Sequence, residues 1–96
     1  MSTIIRTGII GYGLSGRVFH APFIDVVDGY ELSKISTGNA DRRKMIEGRY
    51  PVTAVVPDGK GIISDPEIDL VIVTSPNTQH FYWAREALLA GKHVVV

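Results

Sequence analysis

The sequence predicts an α/β fold, in which helices cover both faces of a parallel sheet with the Rossmann-type strand order 3-2-1-4-5, the sheet being incomplete. Two observations support this prediction. Short apolar runs typical of strands alternate with stretches typical of helices along the 96 residues. Two neighbouring parallel strands need a crossover connection between them, and the helical stretches supply it. In addition, three glycines spaced G-x-G-x-x-G follow the first apolar run, at Gly11, Gly13 and Gly16.

The first strand is expected at residues 4–10, a near-continuous apolar run typical of a strand buried on both faces. Each glycine after it has its own role in a dinucleotide site. Gly11 lets the chain turn tightly, Gly13 lets a diphosphate approach the backbone, and Gly16 lets the next helix pack closely. That helix, from about Ser15, would direct its free N–H groups at the phosphates. A plain glycine turn is the alternative.

Proline and glycine divide the next part of the chain. Pro22 lacks the N–H that a helix interior needs, so the first helix is expected to break at residues 20–22 and to resume at residues 23–27. Asp28-Gly29 is a turn signal. Residues 30–36 carry two apolar side chains among polar ones and form the second predicted strand.

A charged helix is expected at residues 41–49, with Met45 and Ile46 as its apolar contacts and Pro51 after it. The β-branched residues among positions 52–56 indicate the third strand. A short helical segment around residues 62–63 follows the next turn.

Asp65-Pro66 has the pattern of an N-cap and a first-turn proline, so one more helical turn is expected there. Residues 70–74 form the fourth strand, the most hydrophobic one. The next helix is predicted from Asn77 or Thr78 to about residue 90, with Tyr82 and Trp83 packed near Leu88 and Leu89. It is expected to stop at the left-handed Gly91, and residues 93–96 begin a fifth strand.

Composition excludes several classes of function. Ten basic and ten acidic residues cancel, so no electrostatic footprint for nucleic acid or an anionic membrane is present. The chain has no cysteine, its three histidines lack a ligand spacing, and no metal site is expected. No apolar run approaches the roughly 20 residues that span a bilayer, and no signal peptide is evident. A cytoplasmic location is therefore expected.

Four segments carry a resemblance to a known family: residues 9–16, 19–22, 65–74 and 90–96. Together they resemble the N-terminal part of the Gfo/Idh/MocA oxidoreductases (glucose-fructose oxidoreductase, inositol dehydrogenase and rhizopine catabolism proteins), over essentially the whole chain. Its NADP-dependent scyllo-inositol dehydrogenases are the most similar class. The resemblance implies that residues 1–96 are part of a nucleotide-binding domain in an NAD(P)-dependent dehydrogenase.

The family transfers hydride between the nicotinamide cofactor and a hydroxyl of a sugar or cyclitol. Its Glu-Lys-Pro motif, whose lysine helps to bind substrate and relay a proton, would follow Val96, and its substrate domain would follow later. No catalytic residue is therefore assigned within the chain, and the chain alone is expected to be inactive. A non-catalytic nucleotide-sensing module is the alternative, since fold does not determine function.

Three loops, at residues 11–16, 36–39 and 74–80, should meet beyond the carboxyl ends of the strands, where such sheets bind ligands. The family resemblance places the third of them beside the nicotinamide ribose. In that loop Asn77 can also cap a helix, and His80 lies one helical turn later on the same face. The predicted cofactor-binding residues are Gly11, Gly13, Leu14, Ser15, Gly16, Ser36, Thr37, Arg42, Thr74, Ser75, Pro76, Asn77 and His80.

The second loop bears on the choice of cofactor. NAD-preferring domains place a carboxylate about 20 residues past the glycines, but residues 36–39 contain none. Ser36 and Thr37 offer hydroxyls, and Arg42 or Arg43 offers positive charge to a 2′-phosphate. NADP is therefore favoured and NAD is the alternative. The alternative for the two arginines is that they lie on a solvent-exposed helix face and bind no phosphate.

The expected partners are the dinucleotide and, in the parent protein, a sugar or inositol-like substrate. The apolar fifth strand would present unpaired backbone groups at a sheet edge, which invites pairing with another chain. A homo-oligomer is therefore expected.

Overall fold

The computed structural model describes residues 4–11, 21–74 and 77–96, with the backbone alone at residues 77–80. Its strands form one parallel sheet in the order β3-β2-β1-β4-β5, which confirms the predicted strand order. The strands are β1 (Ile5–Ile10), β2 (Tyr30–Ser36), β3 (Ala54–Val56), β4 (Leu70–Val73) and β5 (His93–Val95), and the helices are α1 (Ala21–Val26), α2 (Ala40–Arg49), α3 (Lys60–Ile63) and α4 (Asn77–Leu89).

Helices cover both faces of the sheet, and each face has its own core. Side chains of α1 and α2 pack with Ile9 and Ile35 on one face. Side chains of α3 and α4 pack with Ile10 and Val71 on the other. The alternation of Ile9 and Ile10 follows from the two-residue period of a strand. The adjacent apolar residues Ile9 and Ile10 at the end of β1 are thus explained by burial on both sides of the sheet.

An irregular register lies in β2, opposite β1. Thr7 pairs with Leu32 but Gly8 pairs with Lys34, so Ser33 is an extra residue in this strand. Leu32 and Ile35 are three positions apart, and a regular strand would direct them to opposite faces. The bulge brings both into the same core.

Among the glycines that the structure describes, three have positive φ: Gly11 at 90°, Gly29 at 92° and Gly91 at 81°. A residue with a Cβ rarely adopts this backbone conformation. The turn predicted at Asp28-Gly29 and the left-handed stop predicted after the last helix are therefore confirmed. The predicted helix start near Ser15 lies outside the described residues, while Pro22 lies within α1.

The third strand is shorter than the sequence predicts. Val52 is 95% exposed and lies before the strand. The cause is a turn in which the Thr53 N–H donates to the Tyr50 carbonyl at 3.0 Å. On α2, Ile46 is fully buried in the first core, as predicted, whereas Met45 is 44% exposed and is not part of either core.

The turn predicted at Asp65-Pro66 is present but is not helical. The Ile68 N–H donates to the Asp65 carbonyl, and the Asp65 carboxylate accepts the Glu67 N–H at 2.9 Å. Lys34 Nζ lies 2.9 Å from Asp65 Oδ2. Lys92 is 8% exposed, and its Nζ donates to the Asp65 and Ile68 carbonyls, each at 2.7 Å. Lys34 of β2 and Lys92, which directly precedes β5, thus hold the turn that leads into β4.

We expect Asp65→Asn to lower the melting temperature most near neutral pH. Hydrogen bonds from Lys34 and from the Glu67 N–H hold the pKa of Asp65 below its ordinary value of 3.8. A carboxylate with a lowered folded-state pKa stabilises the fold above the unfolded-state pKa, and this contribution is lost as the pH falls through the folded-state value. Thermal unfolding between about pH 7 and about pH 2 measures the difference.

The matched control is Glu67→Gln, which removes an exposed carboxylate two residues away. It should change the melting temperature little at any pH. If Asp65→Asn and wild type differed equally at every pH, the assigned role of the ionised carboxylate would be contradicted.

Candidate dinucleotide-binding site

The turn after β1 is centred on Gly11, and both of its peptide groups are hydrogen bonded. Its N–H points at Ser36, with the carbonyl oxygen at 3.2 Å and Oγ at 3.0 Å. Its carbonyl oxygen accepts the Thr74 hydroxyl at 2.6 Å. Ser36 ends β2 and Thr74 follows β4, so the carboxyl ends of three neighbouring strands meet at this glycine. The described parts of the three predicted loops therefore converge.

Ser36 is 3% exposed, and its Oγ accepts the Gly11 N–H. From the sequence, this hydroxyl is expected to face a ribose or phosphate, whereas the structure directs it into the protein because Ser36 pairs with Ile10 at the end of β1. Thr37 is partly exposed at the surface of the same loop. Its N–H donates to the Val56 carbonyl, and its Oγ1 accepts the Asn39 N–H at 3.2 Å.

Asn39 is the N-cap of α2, a role that sequence analysis missed. Its Oδ1 accepts the Arg42 N–H at 2.9 Å. The signal was available, since asparagine is among the preferred N-cap residues. The cap places the free N–H groups and positive dipole end of α2 directly after the second loop.

The two candidate arginines of α2 differ in their partners. Arg43 Nε lies 3.5 Å from Oε2 of Glu47, one turn further along α2. Among the residues that the structure describes, the Arg42 guanidinium makes no ion pair and is exposed. Of the two, Arg42 is the one available to an anion.

The remaining predicted site residues are placed only in part. Asn77 and His80 lie in the first turn of α4, which follows Thr74 after a short connection, so their backbone is near the edge where the strands converge. Their predicted side-chain roles stay predictions. Outside the described residues lie Gly13, Leu14, Ser15, Gly16, Ser75 and Pro76.

Packing along α4 differs from expectation. Trp83 packs against the second core, as predicted. Tyr82 is 53% exposed, but its ring contacts the Trp83 ring edge-on with the ring centroids 4.8 Å apart. Leu88 and Leu89 are 62% and 71% exposed and lie on the outer side of the helix. An apolar groove runs along this outer face, lined by Phe81, Ala84, Arg85, Leu88 and Leu89. This groove lies along residues 81–89 of α4 and does not include Gly11, where the strand ends meet.

Among the side chains described, those of residues 4–11, 21–74 and 81–96, no three His, Cys, Asp or Glu are grouped to hold a metal ion. None of the helices in that part of the chain is both long and apolar enough to cross a membrane.

Comparison with known proteins gives one family match. The family model described as "oxidoreductase family, NAD-binding Rossmann fold" (GFO_IDH_MocA) matches residues 5–96. YdgJ of Escherichia coli (strain K12), an uncharacterized oxidoreductase, is 44% identical over 96 residues, which are 100% of this chain and 27% of YdgJ. IolW of Bacillus subtilis (strain 168), a scyllo-inositol 2-dehydrogenase (NADP(+)), is 46% identical over 92 residues, which are 96% of this chain and 25% of IolW.

Among solved structures, the scyllo-inositol dehydrogenase from Lactobacillus casei with bound NAD(H) and scyllo-inositol has a TM-score of 0.86 and 28% identity. The match covers 96% of this chain and 27% of that one. The chain thus spans about a quarter of the length of these relatives.

Proposed function

Because the chain belongs to the Gfo/Idh/MocA oxidoreductase family, with its NAD-binding Rossmann fold, we propose that it holds the nicotinamide cofactor of a longer dehydrogenase. In this proposal residues 1–96 are the N-terminal nucleotide-binding part, and the substrate domain and catalytic lysine belong to other parts of the parent protein. The observation that carries the proposal is the turn at Gly11. It combines a positive φ with the convergence of β1, β2 and β4.

This turn fits a dinucleotide. Diphosphates bind at the carboxyl ends of parallel strands, where the chain reverses on glycine and a helix N-terminus follows. Since both peptide groups of Gly11 bond to the protein, we assign it the reversal of the chain. The phosphate contacts are assigned to the following amides, those of Gly13, Leu14, Ser15 and Gly16.

The reaction we propose for the parent protein is hydride transfer between a hydroxyl-bearing carbon of an inositol or sugar and the cofactor. IolW and the Lactobacillus casei enzyme, both named scyllo-inositol dehydrogenases, support this substrate class. When bound, the cofactor supplies the hydride-accepting ring. The chain's own residues bind and orient it. Ser75, Pro76, Asn77 and His80 are assigned to the nicotinamide ribose, and Thr74, whose hydroxyl bonds to the Gly11 carbonyl, leads into that loop.

We propose NADP as the cofactor, with the 2′-phosphate between Thr37 and Arg42. Three observations support this choice. Residues 36–39 contain no carboxylate, which would repel the phosphate. Arg42 is exposed and without an ion pair in the described part of the chain. The N-terminus of α2, capped by Asn39, contributes a positive dipole end at the same place.

We expect Arg42→Ala to weaken NADPH binding about tenfold and to leave NADH binding within about twofold. An arginine hydrogen bonded to an exposed phosphate contributes roughly 1.5 kcal/mol, which corresponds to about a tenfold change in Kd. NADH lacks that phosphate. Fluorescence titration of wild type and variant with both cofactors measures the difference.

The matched control is Arg43→Ala, which removes the same charge one position away from a side chain that pairs with Glu47. It should change neither affinity by more than about twofold. Tighter binding of NADH than NADPH by wild type would contradict the choice of NADP. If wild type bound neither cofactor, the proposed function itself would be contradicted.

We further propose that the parent protein is a cytoplasmic homo-oligomer. The exposed apolar face of α4, with Phe81 78% and Leu89 71% exposed, supports self-association, because large apolar side chains of this kind are usually covered. Sedimentation of the purified protein tests the oligomer, and a monomer at every concentration would contradict it.

A further inference from the structure

We propose that Ser36 and Thr74 act together as positioning residues that clamp Gly11 and so set the affinity for the diphosphate. The inference rests on the proposed dinucleotide function, but it gives the two side chains a role that involves no contact with the ligand. Both hydroxyls act through the backbone of the glycine between them.

Ser36 provides one side of the clamp. The Gly11 N–H lies 3.0 Å from Ser36 Oγ and 3.2 Å from the Ser36 carbonyl, so two acceptors of one residue share it. At 3% exposure the serine is shielded from a ligand at the surface. Its hydroxyl therefore adds an acceptor to the one that the β2 backbone already offers.

Thr74 provides the other side. Its hydroxyl lies 2.6 Å from the Gly11 carbonyl oxygen and 3.2 Å from the Ile10 carbonyl oxygen. Its N–H donates to the Ile10 carbonyl at 2.9 Å. The 2.6 Å bond is the closer of the two, and it holds the peptide that leaves Gly11 toward the glycine loop.

The clamp matters because glycine has little conformational preference of its own. Gly11 has no side chain that packs, and it samples both signs of φ when it is unrestrained. Hydroxyls from β2 and from the end of β4 hold the peptides before and after it. The direction in which the next amides leave is thereby set before a ligand arrives. Such preorganisation raises affinity because less ordering remains to be done on binding.

The test compares Ser36→Ala, Thr74→Val and Thr74→Ser with wild type. We expect the first two to weaken binding of the preferred cofactor, NADPH or NADH, by about five- to tenfold each. Thr74→Ser retains the hydroxyl and should stay within about twofold of wild type. In the ligand-free chain, hydrogen exchange of the Gly11 amide should accelerate at least about tenfold in Ser36→Ala.

Thr53→Val is the matched control. Thr53 is 8% exposed and its hydroxyl donates to the Leu32 carbonyl at 2.9 Å, so the same kind of bond is lost away from Gly11. It should lower the melting temperature without changing cofactor affinity or Gly11 exchange. Equal affinity losses in Thr53→Val and Thr74→Val, or no rescue by Thr74→Ser, would overturn the clamp.

The two failures are distinguishable. Unchanged Gly11 exchange in Ser36→Ala overturns the clamp whether or not cofactor binds. Accelerated exchange in a chain that binds no dinucleotide supports the restraint on Gly11 and overturns the proposed function.

Discussion

Replacing Gly11 by valine is expected to weaken dinucleotide binding by about a hundredfold. A β-branched residue at a φ of 90° is strained, so the turn will relax toward negative φ and redirect the amides that follow. Losing two hydrogen bonds to a charged phosphate, each worth roughly 1.5 kcal/mol, corresponds to about that factor. Fluorescence titration with NADPH and NADH measures the affinity, and thermal unfolding measures the cost in stability.

Gly29→Val is the matched control for backbone strain. Gly29 has a φ of 92°, and an added Cβ there meets no atom within 4 Å. It lies in the turn before β2, at the opposite end of the sheet from Gly11. Both variants should lose roughly 1–2 kcal/mol of stability, while Gly29→Val retains its affinity. Equal affinity losses in the two variants would show that strain acts on the whole domain and would contradict a special role for Gly11.

Replacing Gly8 by alanine is expected to destabilise the fold by about 1–3 kcal/mol, the usual cost of overpacking a core. An added Cβ would lie 2.5 Å from Ile62 Cγ2 and 3.2 Å from Ile68 Cδ1. Both isoleucines are buried, at 0% and 3% exposure, so neither side chain can move into solvent. Denaturant unfolding gives the change in the free energy of unfolding.

Gly48→Ala tests the same chemical change where there is room. Gly48 lies in α2, and an added Cβ meets nothing within 4 Å. This variant should gain roughly 0.5–1 kcal/mol, because alanine favours a helix more than glycine does. A double-mutant cycle with Ile62→Leu, which lacks the Cγ2 methyl, should recover part of the loss in Gly8→Ala. If the two losses were simply additive, the close approach to Ile62 would not be the cause.

Sequence analysis predicted the strand order and the convergence of three loops, because both follow from patterns within single segments. Alternating strands and helices predict a parallel sheet, and a glycine at a turn predicts a positive φ from the local sequence alone. The turn at Gly29 and the stop at Gly91 were predictable for that reason.

What could not be predicted depends on the register between segments. The burial of Ser36 depends on which residue of β1 it pairs with, and Ser36 pairs with Ile10 only because of the irregularity at Ser33. Apolar composition alone did not show that Leu88 and Leu89 lie on the outer side of α4, since their hydrophobicity is the same on either face. Likewise, Arg42 and Arg43 of α2 differ because Arg43 pairs with Glu47.

The bulge at Ser33 has a consequence for the chemistry of the second loop. With uniform pairing from Thr7 and Leu32 onward, Ile35 would stand beside Ile10, and Lys34 would stand beside Ile9. One inserted residue instead offsets the strand so that a hydroxyl, and not a hydrocarbon, arrives next to the end of β1. The same offset leaves the lysine free to reach Asp65 on the other face of the sheet. The extra residue in β2 therefore has two effects at once. It places the Ser36 hydroxyl at the Gly11 turn, and it places the Lys34 ammonium group at the Asp65 turn.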